Sequence, residues 1–267
     1  MFYSENNIKM ERMIFMKKLL VVSLLLVSLV LMGFNIHPSA AESSTDIEIP
    51  VVNYHVISHN PDPNNLYQYS VEEFEKQMVY LKENGYRSLT LRQYFRILDG
   101  KAAMPAKPIL ITFDDSTSDF YPNAYPILDK YDLKATQFAV SDWVNDDWSM
   151  TAEEITTVMK NGIDIQNHTA SHPSLDQLSY GQQYEEIYDA TVALNSLTGK
   201  RINVFAYPYG AYNADTLEVV ENLGFKGAFT IEGGISTDED NRYELPRFMI
   251  LNGDTLDDFI RKLATGH

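Results

Sequence analysis

The sequence predicts an α/β fold in which seven or eight strand–helix pairs build one parallel sheet. Three observations support this prediction. Apolar strand patterns alternate with amphipathic helix patterns from residue 49 onward. Start signals such as Ser70 with Glu73 and Thr151 with Glu154, each spaced as a capping box, mark helix N-termini. Residues 42–267 suffice for one domain with a full core. An open doubly wound sheet and a closed barrel both fit this alternation.

Each element has a local signal in the residues. Strands are short apolar runs, and helices have apolar residues three or four apart and often end at a glycine. In chain order the elements are a strand at 49–57, a helix at 70–85, the strand "YRSLT", a short helix from Leu91, the strand "PILITF", the helix "YPNAYPILDKYD", the strand "KATQFAV", the helix "TAEEITTVMKNG", the strand "IDIQNHT", the long helix "SYGQQYEEIYDATVALNSLTG", the strand "INVFAYP", the helix "ADTLEVVENLG", the strands "KGAFTI" and "ELPRFMI", and the helix "TLDDFIRKLATG".

The first 41 residues have the pattern of a secretory signal peptide, with translation starting at Met16. The basic start "MKK" precedes an apolar run from Leu19 to Phe34, and small residues allow cleavage after Ala41. An uncleaved anchor is the alternative, but the run is shorter than the ~20 residues of a comfortable span. Residues 42–48 would then be a linker and 49–267 the functional domain. We expect a protein that is secreted or associated with the cell wall.

Charge and cysteine content restrict the possible partners. Removing residues 1–41 takes away four basic and two acidic residues and leaves 17 basic and 35 acidic ones. Nucleic acids and anionic membrane surfaces are poor partners for such a chain, whereas a neutral or cationic polymer is a better one. The chain has no cysteine, so neither disulfides nor a cysteine-linked lipid anchor is expected. The oligomeric state is left open.

One strand ends in two adjacent carboxylates, Asp114 and Asp115, in "PILITFDDS". Burial penalises both charges and each raises the pKa of the other, so a bound cation is the first candidate to compensate. Two other pairs, Asp146–Asp147 in a polar stretch and Asp257–Asp258 at a helix start, have ordinary explanations. Because successive strand residues face opposite sides, one aspartate can ligate a metal while its neighbour takes a proton from water.

Two histidines follow another predicted strand, in "IQNHTASHP". His168 and His172 are four residues apart and converge on a metal if the segment turns helical. Taken alone they could equally be exposed residues of a polar loop. The carboxyl ends of parallel strands share one edge, so these imidazoles and Asp115 are expected to lie together. Two imidazoles and one carboxylate are a recurrent catalytic zinc set.

A third segment, "FAYPYG", ends a later strand. Pro208 and Gly210 favour a turn there, which can present the backbone N–H of Tyr209 to a ligand. An ordinary strand-to-helix turn explains the same residues.

The three motifs together resemble the polysaccharide deacetylases with NodB homology, carbohydrate esterase family four. "TFDD" and "HTASHP" are similar to the first two motifs of that family, and "FAYPYG" to a variant of the third. The resemblance extends from about residue 50 to 250. It implies a distorted (β/α)7–8 barrel that removes acetyl groups from N-acetylated sugar polymers, and an early "YH" with a late "LPR" points to the poly-N-acetylglucosamine branch.

The resemblance also implies roles for individual residues. Asp115, His168 and His172 would hold a divalent metal, most simply Zn²⁺, with Co²⁺ or Ni²⁺ as alternatives. Asp114 would be the general base. The Tyr209 N–H would stabilise the oxyanion, and Pro208, Tyr209 and Leu251 would contact the substrate.

Two departures from the family pattern concern the base and the acid. The third motif usually carries an arginine that orients the base, and it is absent here; Arg247 could supply the guanidinium, or could be a surface partner of Glu244. The Leu-x-His that supplies the acid is also absent, since Asn252 follows Leu251 without a histidine. His55 or His59 is then the candidate acid, if a histidine acts at all; His55, near the end of the first strand, would lie on the same rim, unless it is only bonded within the barrel.

The sequence therefore predicts a secreted hydrolase that deacetylates an acetylated glycan: poly-N-acetylglucosamine, peptidoglycan or a chitin-like polymer. Two alternatives remain. One is a glycan-binding protein of the same fold without catalysis, suggested by the missing motifs. The other is a hydrolase of acetylxylan or of another ester or amide. Trp143 and Trp148 could stack on sugar rings or only anchor their loop.

Overall fold

Parallel strands form a curled sheet, a deformed barrel, in the computed structural model. The structure describes residues 47–267 together with Met10, Met13, Phe15 and Met16. The predicted signal peptide beyond these few residues, its cleavage site and most of the predicted linker lie outside the described residues. The strands are β1 (Ile49–Tyr54), β2 (Val56–Ser58), β3 (Gln68–Ser70), β4 (Arg87–Ser88), β5 (Pro108–Asp114), β6 (Ala135–Ala139), β7 (Ile163–Asn167), β8 (Val204–Ala206), β9 (Gly227–Phe229), β10 (Ile235–Ser236) and β11 (Phe248–Met249).

Helices follow most strands, as the alternation predicts. They are α1 (Val71–Glu83), α2 (Leu91–Leu98), α3 (Tyr125–Lys130), α4 (Ala152–Lys160), α5 (Tyr180–Thr198), α6 (Ala214–Asn222) and α7 (Leu256–Thr265). The capping box at Thr151 and Glu154 is present at α4. At α1 only half of the predicted box forms: Ser70 accepts from the Glu73 N–H, but the Glu73 carboxylate pairs with Lys76. Among the described helices, none combines the length and apolar character needed to cross a bilayer.

The sheet order places the predicted motifs on neighbouring strands. The order is β1-β5-β6-β7-β8-β9, all parallel, with the short β4 beside the start of β5 and the antiparallel β10 beside the start of β1. Every residue of β1 and β5 is buried, as expected for parallel strands covered on both faces. Their carboxyl ends therefore lie along one rim of the barrel.

One segment near the C-terminus spans the gap between the two ends of the sheet. Leu245 forms a parallel bridge with Phe229 of β9, and Phe248 and Met249 then pair in parallel with β1. Arg247 lies between these two contacts. The predicted distorted barrel is confirmed, and its seam is this segment.

The first strand is shorter than predicted. The expected strand 49–57 divides at His55 into β1 and β2, and β2 leaves the main sheet to pair with β3. His55 is the residue at the break, at the carboxyl end of β1.

Candidate active site

The carboxyl ends of β1, β5, β6, β7 and β8 surround one cavity of about 400 Å³. Its lining includes both aspartates of the β5 motif and three histidines. The residues of this kind are Asp114, Asp115, His55, His168 and His172. Aromatic side chains form much of the remaining wall, namely Tyr67, Trp143, Tyr207 and Tyr209. The structure thus brings together groups from residues 55 to 209.

Asp115, His168 and His172 place three ligand atoms within 4.8 Å of one another. Asp115 Oδ1 lies 3.5 Å from His168 Nε2 and 3.3 Å from His172 Nε2. This oxygen is buried and makes no hydrogen bond to any described residue. An orphaned buried carboxylate oxygen facing two imidazole nitrogens fits a divalent cation with nitrogen and oxygen ligands.

The backbone around these three residues is left-handed at several non-glycine positions. The φ angles are 74° at Asp115, 55° at Ser116, 71° at Thr169 and 64° at His172. Such conformations cost energy for residues with a Cβ and occur most often at functional sites. The histidines converge through this tight turn and not through a helix, so the helical route considered for the pair is wrong.

Hydrogen bonds hold the histidine turn in place. The Thr169 N–H donates to Asn167 Oδ1 at 2.7 Å, and the His172 N–H donates to Thr169 Oγ1 at 2.9 Å. Glu186 on α5 accepts from the Ser171 N–H and hydroxyl. These contacts place His172 beside His168 without a helical i, i+4 arrangement.

The buried His168 ring has a defined tautomer and a low pKa. His168 Nδ1 lies 2.8 Å from the Ala206 carbonyl oxygen, so Nδ1 carries the proton and Nε2 keeps its lone pair for the cavity. Burial lowers the pKa of His168 to about 4, against the opposing effect of Asp114 and Asp115. The imidazole is therefore neutral at physiological pH, as metal ligation requires.

Asp114 is held by a buried arginine. Arg247 Nη1 and Nη2 donate to Asp114 Oδ1 and Oδ2, both at 2.8 Å, and Asn53 Nδ2 donates to Oδ2 at 3.0 Å. Burial raises the pKa of Asp114, but the Arg247 guanidinium and His168 outweigh it, so the pKa lies well below its usual range. Asp114 is therefore ionised throughout the ordinary pH range.

Arg247 reaches Asp114 from the barrel seam. Its side chain is fully buried, its Nε donates to the Thr230 carbonyl at 2.9 Å, and it faces the rings of Phe138 and Phe229. Glu244, the alternative partner, instead accepts hydrogen bonds from Tyr212 and Asn241. Arg247 therefore pairs with Asp114 and not with Glu244, and its role as a substitute for the motif arginine stays a prediction. Sequence reasoning missed Asn53, although its place one residue before the "YH" pair was visible.

His55 lies in the same cavity, beside the polar loop that contains Tyr67. Its Nδ1 is buried without a hydrogen-bond partner among the described residues, and its ring centroid is 4.9 Å from that of Tyr67. Asn252 pins the Tyr67 loop: its N–H donates to the Leu66 carbonyl at 2.8 Å and its Nδ2 to the Asp62 carbonyl at 2.8 Å. Asn252 thus stabilises the loop whose Tyr67 ring packs against His55.

The remaining predicted substrate residues lie at different depths. Tyr209 has φ 59°, is 65% exposed and lines the cavity next to His172. Pro208 is buried behind it, and Leu251 is not among the described residues that line the cavity; Met249 is. Trp143 lines the cavity 5.1 Å from the His172 ring, whereas Trp148 packs on Trp143 and is 44% exposed. The roles assigned to these residues stay predictions.

Two imidazoles and two carboxylates in different surroundings on a strand rim are typical of a mononuclear metal centre for hydrolysis. Comparison with known proteins gives the class. A model of the polysaccharide deacetylase family matches residues 101–228. The chain is 32% identical over 206 residues to YxkH of Bacillus subtilis (strain 168), covering 77% of this chain and 72% of that protein.

Two further similar proteins are deacetylases. A poly-β-1,6-N-acetyl-D-glucosamine N-deacetylase of Staphylococcus aureus is 31% identical over 198 residues, covering 69% of this chain and 68% of that protein. The solved structure of the Streptococcus pyogenes deacetylase PplD, in complex with acetate, superposes with a TM-score of 0.78 at 30% identity, covering 82% of this chain and 99% of that one. This chain belongs to the polysaccharide deacetylases of carbohydrate esterase family four, which are hydrolases of amide bonds.

Proposed function

We propose that this protein is a secreted, metal-dependent deacetylase that removes N-acetyl groups from an N-acetylglucosamine polymer. The observation that carries the proposal is the three-ligand cluster beside a separately clamped carboxylate. Asp115 Oδ1 has no hydrogen bond within the described part of the chain, while both carboxylate oxygens of Asp114, one residue away, accept hydrogen bonds from Arg247 and Oδ2 also accepts one from Asn53. Adjacent aspartates in such different surroundings have different tasks.

Asp115 Oδ1, His168 Nε2 and His172 Nε2 would hold the divalent metal, most simply Zn²⁺, with Co²⁺ or Ni²⁺ as alternatives. When bound, such an ion acidifies water and polarises the acetamide carbonyl. The ring nitrogen of His168 that faces away from the cavity is fixed by the Ala206 carbonyl. That contact keeps the donor nitrogen aimed at the cluster.

Asp114 is the proton acceptor in this proposal. Its Oδ2 accepts from both Arg247 and Asn53, whereas Oδ1 accepts from Arg247 alone and keeps a free lone pair. Oδ1 is therefore the atom that takes the proton from the attacking water. Because the low pKa of Asp114 makes it a weak base, it needs a water that is already acidified. That weakness supports the metal dependence in the proposal.

Two further groups of the chain act at the acetyl oxygen, where negative charge develops, and at the departing amine, which must gain a proton. The Tyr209 N–H, in a left-handed turn at the cavity wall, stabilises the oxyanion that forms on the acetyl carbonyl. His55 protonates the departing amine, since it lines the cavity and its Nδ1 has no other partner within the described residues.

The polymer is proposed from the relatives and the cavity wall. The Staphylococcus aureus relative acts, by its name, on poly-β-1,6-N-acetyl-D-glucosamine. The exposed rings of Tyr209 and Tyr67 are suited to stacking on pyranose faces. The export pattern of residues 16–41 supports action outside the cytoplasm.

Acetate release tests the proposal. The mature protein is offered poly-N-acetylglucosamine, acetylated chito-oligosaccharides and acetylxylan, with Zn²⁺ and with a chelator. We expect metal-dependent acetate release from the first substrate above the others. Binding without release from any glycan would favour the non-catalytic alternative, and release from acetylxylan alone would favour the esterase.

A further inference from the structure

The end of the barrel opposite the active site has a basic groove in an acidic protein. Two cavities, of about 970 Å³ and 260 Å³, share Arg92 and lie at the amino ends of the strands. We define the basic groove as these two cavities. Eight of its lining residues are cationic, namely Lys82, Arg87, Arg92, Arg96, Lys134, Lys200, Arg201 and Lys226.

The ratio of basic to acidic residues in the groove is the reverse of that in the chain. Residues 47–267 contain 17 basic and 33 acidic residues, yet the groove has only two acids, Asp132 and Asp164, beside its eight cations. Burial lowers the pKa of Lys226, and the neighbouring cations Lys101, Arg242 and Arg96 lower it further against the effect of Asp99. Of these three cations only Arg96 lines the groove.

Helix dipoles do not explain the charge. Cations are favoured near helix C-termini, which accounts for Lys82 and Arg96. Arg92 lies in the first turn of α2, where the dipole favours acids, and Arg87 is on β4. Lys82, Arg87 and Arg92 are exposed and form no salt bridge within 4.0 Å among the described residues, whereas Lys134 pairs with Asp132, whose pKa Lys82 and Arg87 also help to lower. Eight cations against two acids still leave the groove with a net positive charge for an external anion.

We propose that the basic groove binds a linear polymer that bears phosphate groups, and so holds the enzyme with its active site facing away. Three arginines, Arg87, Arg92 and Arg96, line the large cavity, and the planar guanidinium matches phosphate oxygens with paired hydrogen bonds. The groove is concave, which suits a chain better than a flat membrane.

A nucleic acid fits the groove less well because the described lining offers no free ring for base stacking. Tyr86 is half-buried with Lys107 Nζ 5.4 Å from its ring centroid, and Phe95 is buried under Lys226. A phosphate polymer without bases is the better match.

Binding to poly(glycerol phosphate) tests the proposal, measured by fluorescence anisotropy between 50 and 200 mM salt. If about five phosphates are neutralised, affinity should fall roughly 100-fold across this range. The variant Lys82→Gln/Arg87→Gln/Arg92→Gln should bind at least roughly tenfold more weakly at 50 mM salt, with a clearly shallower salt dependence. The matched control, Lys76→Gln/Lys130→Gln/Arg261→Gln, changes the same charge at exposed cations that do not line the groove and should bind like the parent.

Acetate release from a short soluble oligosaccharide should be the same in all three proteins, which shows that the groove variant is folded. No binding by the parent at 50 mM salt, or equal losses in both variants, would overturn the proposal. Tighter binding to an oligothymidylate with the same number of phosphates would overturn it in favour of a nucleic acid. Binding only to phosphatidylglycerol vesicles would overturn it in favour of a membrane.

Discussion

Replacing Arg247 by methionine tests the buried pair that controls Asp114. The change removes two charge-assisted hydrogen bonds of 2.8 Å from a carboxylate that is only 2% exposed. It leaves Asn53 as the remaining donor to Asp114. Breaking a buried pair in this way costs about 3–5 kcal/mol of the free energy of unfolding, because one charge stays buried and uncompensated.

We expect a loss near the lower end of that range. Removing Arg247 also removes the desolvation cost of its own charge, and a methionine can still pack against Phe138 and Phe229. The loss is measured by urea denaturation of metal-free protein at pH 7. The double variant Asp114→Asn/Arg247→Met has no unpaired charge and should recover about 2 kcal/mol relative to the single variant.

The same substitution should shift the pH dependence of turnover. Burial is the largest influence on the pKa of Asp114 and raises it, and Arg247 is the main opposing influence. Without Arg247 the pKa of Asp114 rises, so the acid limb of kcat/KM moves to higher pH. A loss of stability under about 1 kcal/mol together with an unchanged acid limb would refute the pairing and the role that we derive from it.

Three further predictions concern other residues of the site. Asp114→Asn should abolish acetate release but leave metal binding intact; loss of the metal instead would mean that the two aspartates have exchanged roles. His55→Ala should lower kcat by roughly 10²-fold or more if this imidazole is the acid, and an unchanged kcat would assign the proton to another group. The pKa of His168 is lowered to about 4 in the folded protein, so between about pH 6.5 and 4 the unfolded state binds more protons. The free energy of unfolding of metal-free protein should therefore decrease by about 3 kcal/mol as pH falls through this window. A His168→Asn variant should lack that part of the decrease, and an identical pH dependence in parent and variant would contradict it.

Local patterns were enough to predict the rim of the site. Asp114 and Asp115 stood out because a buried strand cannot end in two carboxylates without compensation, and the histidines followed from the rule that parallel strands share their carboxyl edge. The alternation of strands and helices predicted a parallel α/β sheet, and the family resemblance, not the alternation, indicated a barrel instead of an open sheet. The signals for helix starts, such as the Thr151 cap, are local because they involve residues only three apart.

Long-range pairing could not be predicted from such patterns. Arg247 and Asp114 are 133 residues apart, and only the seam that joins β9 to β1 places them together. Asp115 and His172 adopt left-handed backbone conformations although neither is a glycine, so the residue types do not indicate these tight turns. The basic groove was missed because only four of its eight cations lie close together in the sequence, at residues 82–96, and the fold adds the other four from Lys134, Lys200, Arg201 and Lys226.

Metal titration of residues 42–267 tests the central claim most directly. Isothermal calorimetry with Zn²⁺ on the chelator-stripped protein should show one equivalent bound by the parent, and the Asp115→Ala and His172→Ala variants should lose that binding. The Asp142→Ala variant, which removes a carboxylate that lies outside the cluster, should behave like the parent. Binding of no zinc by the parent, or equal binding by all four proteins, would contradict the assignment of Asp115, His168 and His172 as the metal centre.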